Sequence, residues 1–213
     1  MVDEQVTMTE NRHYGTPNAI LWRYYATARR LSCEAASSED LDVVRGNTAT
    51  VIIVVVATFE AFLNIWFRTF TGPGSYEEHA DSIIRDLKTR KSLGYKVREW
   101  PKRVFGRGLD VESGVGREFL RLVERRNALM HFTTNCDAIE IPGVRIESLV
   151  DLTTFETLAP SDADGALRTL EGMVVEFFAV KGDRPGQCLR GLHYWLGRVA
   201  FPEEIAAAER GDA

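Results

Sequence analysis

A single apolar run, Val51–Phe70, constrains this 213-residue chain more than any other feature. A membrane span needs about 20 apolar residues with few or no charges, whereas Glu60, Asn64 and Arg68 interrupt this run. Its first part, Val51–Val56, is wholly β-branched and would suit a buried strand. Large apolar side chains then recur at a spacing of four, which favours a helix. The run therefore predicts a long helix at the centre of a buried core.

Composition and charge exclude several classes of protein. A content of 45% hydrophobic and 27% charged residues is ordinary for a globular chain and excludes disordered and fibrous proteins. The net charge of −5 argues against a general polycation for nucleic acid. Cys33, Cys136 and Cys188 match no disulfide or zinc pattern, so we expect neither a disulfide framework nor a zinc site. We also expect no other metal and no cofactor. No secretion signal is visible, so we expect a cytoplasmic protein with no membrane partner.

Helical periodicity dominates the rest of the chain and predicts a mostly α, single-domain helical bundle. The domain covers 16–200, between a flexible N-terminus at 1–15 and a C-terminal tail at 201–213. Ile139–Ile141 and Val144–Ile146 flank Pro142 and Gly143 like a small β-hairpin within an otherwise irregular stretch, 133–158. A bend or break is expected at Pro101. We expect helices at about 17–36, 41–70, 76–89, 93–104, 118–131, 161–180 and 187–199.

One predicted helix, Phe119–His131, carries residues suited to phosphate chemistry. At about 100° per residue, Arg126 falls in the middle of the apolar stripe, where a charge needs an anionic or carbonyl partner. Asn127 and His131 are four residues apart and therefore share one side of the helix. Guanidinium binds phosphate through paired donors, and imidazole moves protons near pH 7. We therefore predict that Arg126, Asn127 and His131 form a catalytic cluster.

Two polar residues in the long apolar helix offer support for that cluster. Glu60 and Asn64 are four residues apart, so they lie on one side of an otherwise apolar helix. A buried glutamate and a buried arginine would each satisfy the other. We therefore predict that Glu60 pairs with Arg126 and orients it, with Asn64 in support. Arg68 continues the same side of the helix and is a rival partner for these polar residues.

The segment Arg126–His131 reads Arg-Asn-x-x-x-His and resembles the Arg-x4–6-His motif of the HEPN superfamily. The resemblance covers about Leu41–Phe132, and the last third of the chain matches nothing in it. It implies a metal-independent endoribonuclease whose two protomers join their motif helices across a twofold axis in one composite cleft. It also implies a homodimer in a toxin or defence setting, with RNA as substrate and an antitoxin or regulatory protein as partner.

One position departs from a branch of that family. HEPN proteins paired with nucleotidyltransferase antitoxins carry a tyrosine two residues after the motif histidine, whereas Thr133 occupies that position here. This difference disfavours regulation by a nucleotidyltransferase. Two other readings remain open: a catalytically inactive HEPN-like module that binds RNA, nucleotide or protein, and a helical scaffold that matches the motif by chance. In these readings His131 is a helix-end histidine and Arg126 belongs to a structural ion pair.

A basic segment, Arg85–Arg107, adds a candidate surface for RNA. It holds nine basic and two acidic residues, a net charge of +7, while the rest of the chain carries −12. Such a surface could neutralise RNA phosphates, and Tyr95 and Trp100 could stack on bases. A solvated helix face or a site for an acidic protein explains the charge equally well. The predicted RNA-binding residues are Arg98, Lys102 and Arg103.

Overall fold

The computed structural model describes residues 15–72, 75–130, 139–142, 144–146 and 152–198, together with residue 207. Within these residues the protein is a mostly α, single-domain bundle, as predicted. The predicted N-terminal segment 1–15 and tail 201–213 lie outside them, apart from residues 15 and 207. The helices are α1 (Ala19–Ser37), α2 (Leu41–Phe70), α3 (Ala80–Lys88), α4 (Leu93–Phe105), α5 (Gly114–Met130), α6 (Thr153–Glu156), α7 (Pro160–Lys181) and α8 (Pro185–Leu196), with a 3-10 turn at Glu77–His79.

Helix α2 is the centre of the core, which confirms the prediction from the apolar run. Asp40 caps its first turn by accepting hydrogen bonds from the N–H groups of Asp42 and Val43 at 2.9 and 3.4 Å. Side chains on several sides of α2, including Val51 and Phe59, are fully buried. By length and hydropathy α2 is the one described helix that could cross a membrane, but 56% of its most apolar window is buried inside the bundle.

Contacts at both ends show that α7 runs in the same direction as α2. Near the start of α2, Arg45 forms an ion pair of 2.6 Å with Glu156, just before α7 begins. Towards the other end, Phe62 of α2 packs edge to face on Phe177 of α7, with centroids 4.9 Å apart. The two helices therefore lie parallel over most of their length.

Helix α5, which carries the motif, runs antiparallel to both. Arg125 near its end binds Asp162 at the start of α7 at 2.7 Å. Near its start, Val115 approaches Gly172 so closely that a Cβ there would lie 2.8 Å from a Val115 methyl carbon. Phe119 packs edge to face on Phe59 of α2, with centroids 4.7 Å apart. The end of α5 therefore lies beside the first half of α2.

Helices α3 and α4 pack at the other half of α2. Trp100 of α4 is fully buried and packs edge to face on Phe67, with centroids 5.3 Å apart. Ser92 caps α4 by accepting a hydrogen bond from the Tyr95 N–H at 3.3 Å. The helix continues through Pro101 to its end at Phe105, so the predicted break is wrong. Tertiary packing of the apolar face offsets the hydrogen bond that proline cannot donate.

The predicted hairpin is present between α5 and α7. Strands β1 (Ile139–Ile141) and β2 (Val144–Ile146) pair antiparallel, with Ile139 opposite Ile146. The short helix α6 falls in the stretch 133–158, which the sequence predicted to be irregular or stranded. A single turn of four residues is too short to show a periodicity of its own.

Candidate functional site

The apolar stripe of α5 is buried at its beginning and opens to solvent at its end. Phe119 is fully buried, Leu122 and Val123 are partly buried, and Met130 is 49% exposed. The predicted stripe is therefore a core element only over its first half. The last turn of α5 is a surface on which a ligand could reach the helix.

Arg126 lies where the buried part of this stripe meets the open part. It is two turns beyond Phe119 and within about 20° of the same direction around the helix axis. The side chain is partly exposed, but its Nε is buried and has no hydrogen-bond partner among the described residues. An unpaired buried donor costs about 1–3 kcal/mol. This arginine therefore has a donor that a bound anion would satisfy.

The predicted pairing of Glu60 with Arg126 is wrong. The Glu60 carboxylate binds the ammonium group of Lys96 on α4, with 2.7 Å between Oε1 and Nζ. No ion pair joins Glu60 to Arg126 within the part of the chain that the structure describes. The correction follows from helix direction, because α5 carries Arg126 away from Glu60 towards the start of α2.

The predicted support of Arg126 by Asn64 is also wrong. Asn64 lies five residues beyond Phe59, towards the end of α2, whereas Arg126 lies seven residues from Phe119 in the opposite direction. At a rise of 1.5 Å per residue these positions are about 18 Å apart along the bundle. The Asn64 Oδ1 is buried and accepts no hydrogen bond from any described residue. Arg68, the rival partner, is exposed.

The face of α2 opposite Arg126 carries no carboxylate. Continuing the stripe of Phe59 by helical spacing towards the start of α2 reaches Val55, Ile52 and Thr48, which are all fully buried. The Thr48 hydroxyl oxygen is buried without a hydrogen-bond partner among the described residues. Neither an apolar wall nor a hydroxyl neutralises a guanidinium, so the charge of Arg126 has no counter-ion on this side.

The other two motif residues differ in what the structure describes. Asn127 is exposed on the last turn of α5, as a residue that contacts a ligand must be. His131 lies outside the described residues, as do Phe132 and Thr133. The approach of His131 to Arg126 therefore stays a prediction.

A groove runs along the outer side of the motif helix, between α5 and α7. It encloses about 260 Å³ and is partly closed by the ion pair of Arg125 with Asp162. Burial opposes ionisation of Asp162, but hydrogen bonds from Arg125 and from the Ala159 N–H lower its pKa. Arg121, further along the groove, pairs with Glu118 on the surface at 2.7 Å. The arginines next to Arg126 therefore have carboxylate partners, whereas Arg126 has none among the described residues.

The basic segment is only partly as predicted. Arg98 and Lys102 are exposed on α4, one turn apart. Arg103 is instead held in place, because its guanidinium binds the Asp86 carboxylate at 2.9 Å and the Tyr95 hydroxyl at 2.8 Å. Burial disfavours the charged guanidinium, but the bond to Asp86 more than compensates and raises the pKa of Arg103. Arg103 is thus fixed by two partners, and its predicted role in RNA binding stays a prediction.

The predicted stacking of Trp100 on bases is wrong as well. Its side chain is fully buried and its Nε1–H donates to Asp86 at 3.1 Å. Tyr95 is partly exposed, but Lys91 lies over its ring, 5.3 Å from the centroid. Both aromatic residues thus fix the basic helix rather than present a free stacking surface.

No cluster of three histidine, cysteine or acidic side chains that could hold a metal ion occurs among the described residues. Comparisons of the chain with protein-family models, with curated proteins and with solved structures found no match. The function therefore has to be inferred from the residues of this chain and their geometry.

Proposed function

We propose that this protein is a metal-independent endoribonuclease of the HEPN type. One observation carries the proposal: Arg126 of an Arg-Asn-x-x-x-His segment has a buried Nε without a partner among the described residues. Arg103, Arg121 and Arg125 each bind a carboxylate. A guanidinium that has no counter-ion among the described residues, at the open end of an apolar stripe, is suited to a phosphodiester.

In the proposed reaction the ribose 2′-oxygen attacks the adjacent phosphorus and the 5′-oxygen leaves, giving a 2′,3′-cyclic phosphate and a 5′-hydroxyl. His131 acts as general base on the 2′-hydroxyl or as general acid on the leaving oxygen. Arg126 stabilises the charge that develops on the phosphate, and Asn127 positions the phosphate or the histidine. DNA lacks the nucleophilic hydroxyl and is not cleaved.

A homodimer completes the proposed site. Apolar side chains are exposed at the end of the bundle where α5 ends and α2 begins: Leu41 is 62%, Met130 49% and Leu152 47% exposed. Burying such side chains against a second copy would bring two motif helices together. We further propose a cytoplasmic toxin or defence protein controlled by an antitoxin or another regulatory protein.

The test compares Arg126→Met with Arg121→Gln, which changes an exposed arginine on the same helix. With RNA as substrate and a chelator present, Arg126→Met should reduce the cleavage rate by about 100-fold or more. Its melting temperature should stay the same or rise, because the change removes an unsatisfied buried donor. Arg121→Gln should leave both quantities near the wild-type values.

His131→Ala provides the second arm of this test. It should abolish cleavage while the protein still folds, dimerises and binds RNA. Chromatography of the wild-type products should show cyclic phosphate ends, and a DNA of the same sequence should stay intact. RNA binding without cleavage by the wild-type protein would instead support the inactive binding module. Unfolding of both variants would point to a structural role for the motif.

A further inference from the structure

A mainly positive surface covers the second half of α3, its C-terminal turn and α4. The two acids of this segment do not offset it at the surface: Asp86 is 4% exposed and Glu99 is only partly exposed. The Asp86 carboxylate is also occupied by Trp100 and Arg103. We call the exposed cations the α3–α4 basic surface; they are Arg85, Lys88, Arg90, Lys91, Arg98 and Lys102.

The frame beneath these cations is fixed by buried polar contacts. Asp86 joins α3 to α4 through Arg103 at 2.9 Å, and Lys96 joins α4 to α2 through Glu60 at 2.7 Å. Lys96 is itself 4% exposed, so this cation lies under the surface and is not one of the exposed cations. Cations on a fixed frame lose less freedom on binding a polyanion than cations on a mobile loop.

The backbone conformation of Arg90 is independent support for a functional role of the positive charge on this surface. At the end of α3 the N–H groups of Arg90 and Lys91 donate to the carbonyls of Leu87 and Asp86, both at 3.1 Å. This is the Schellman pattern, in which glycine normally occupies the left-handed position. Arg90 takes that position with φ +51°, the one described non-glycine residue with positive φ. A strained backbone that carries a charge at a binding surface suggests a functional reason for the residue.

Lys102, at the far end of the α3–α4 basic surface, lies well away from the motif. Lys96 lies level with Glu60, and Lys102 lies six residues further along α4, towards the end of α2. Arg126 lies seven residues from Phe119, towards the start of α2. At 1.5 Å per residue the two positions are about 20 Å apart along the bundle. A nucleotide bound at the motif therefore does not reach Lys102.

We propose that the α3–α4 basic surface docks the backbone of RNA at a distance from the bond that is cut. This inference rests on the proposed function and narrows its substrate to RNA long enough to span both sites. Arginine and lysine at such a surface contact phosphates, which adds affinity without reading sequence. Long RNA is therefore cleaved with a much lower KM than a tetranucleotide that fills only the motif site.

The first experiment compares a long oligouridylate with a uridine tetranucleotide as substrate. The double variant Arg98→Gln, Lys102→Gln removes two exposed cations, and Arg23→Gln on α1 is the matched control. Each lost phosphate contact should weaken binding about fivefold at 0.1 M salt, from a slope of about −0.7 per contact. The kcat/KM ratio of long to short RNA should therefore fall about 25-fold in the double variant. An unchanged ratio would overturn the proposal.

Arg90→Gly should change stability and RNA affinity in opposite directions. The variant should raise the melting temperature, because glycine relieves the left-handed backbone. It should also weaken binding of the long RNA about fivefold at 0.1 M salt. A variant that gains stability and keeps full affinity would exclude Arg90 from the docking surface.

Direct binding separates this inference from the proposed function. Affinity of wild-type protein and variants for oligouridylate is measured against salt, with His131→Ala as the background in which RNA stays intact. The double variant should lose about 1.4 from the slope of log affinity against log salt. If the double variant shows this smaller slope but the wild-type protein does not cleave RNA, the nuclease proposal is rejected and the docking surface stands.

Cleavage with an unaltered slope and KM would reject the docking surface alone. Binding of phosphatidylserine–phosphatidylcholine vesicles or of polyglutamate through these cations, with no binding of RNA, would also overturn the RNA proposal.

Discussion

Glu60 and Lys96 form an ion pair that ties α4 to the central helix, with 2.7 Å between Oε1 and Nζ. The Lys96 side chain is 6% exposed, and its ammonium group lies 5.6 Å from the centroid of the Trp100 ring. Glu60, the acid in the apolar run, therefore neutralises the charge of the buried Lys96 on α4. Arg126 keeps a buried Nε without a partner among the described residues.

Removing the two partners of this pair should have unequal effects. Glu60→Ala leaves Lys96 buried without a counter-ion and should lower the free energy of unfolding by about 2 kcal/mol. Lys96→Met keeps the packing and leaves Glu60, which is 32% exposed, in contact with water, so it should cost less than about 1 kcal/mol. Urea unfolding followed by circular dichroism gives both values. Equal losses would show that the pair is not buried in the way described.

The pair of Arg125 with Asp162 should make stability depend on acid pH. The folded pKa of Asp162 lies below the unfolded value of about 3.9, so the stabilisation is present above that value and is lost as pH falls through the folded pKa. Asp162→Asn should therefore lower stability by about 1 kcal/mol at pH 7 and have little effect once the carboxyl is protonated. Asp164→Asn, which breaks an exposed pair with Arg168, is the control. Melting temperatures across this pH range should diverge for Asp162→Asn alone.

Two glycines should respond to alanine in opposite ways. A Cβ at Gly116, in the first turn of α5, would collide with the backbone carbonyl of Asp110. Gly116→Ala should therefore displace the loop before the motif helix and cost about 2 kcal/mol. Gly165 in α7 has open space around a Cβ, and Gly165→Ala should stabilise by about 0.5–1 kcal/mol. Thermal denaturation of both variants checks the direction of each change in stability. A Gly116→Ala protein as stable as the wild type would contradict the close approach of Gly116 to the Asp110 carbonyl.

Much of the fold was predictable because it depends on local patterns. The long run of apolar residues predicted α2, and Pro142 and Gly143 between two β-branched segments predicted the hairpin. The partner of Glu60 was predictable in part, because Lys96 falls on the apolar stripe of Leu93, Val97 and Trp100 and so needed a buried acid. Lys96 and Arg126 both fall on apolar stripes, so each was a candidate partner for Glu60. Helical periodicity does not choose between them.

The sequence by itself determined the long helices and which side chains sit on each apolar stripe, since both follow from the spacing of residues along a helix. It also predicted an arginine, an amide and a histidine near one helix end, of which the structure describes Arg126 and Asn127 on α5. Only the tertiary structure decided which polar groups meet. Because α5 runs antiparallel to α2 while α4 runs along its second half, Glu60 binds Lys96 and Arg126 lies beside the first half of α2, away from Glu60. Contacts between helices depend on their relative direction, which no pattern within a single helix encodes.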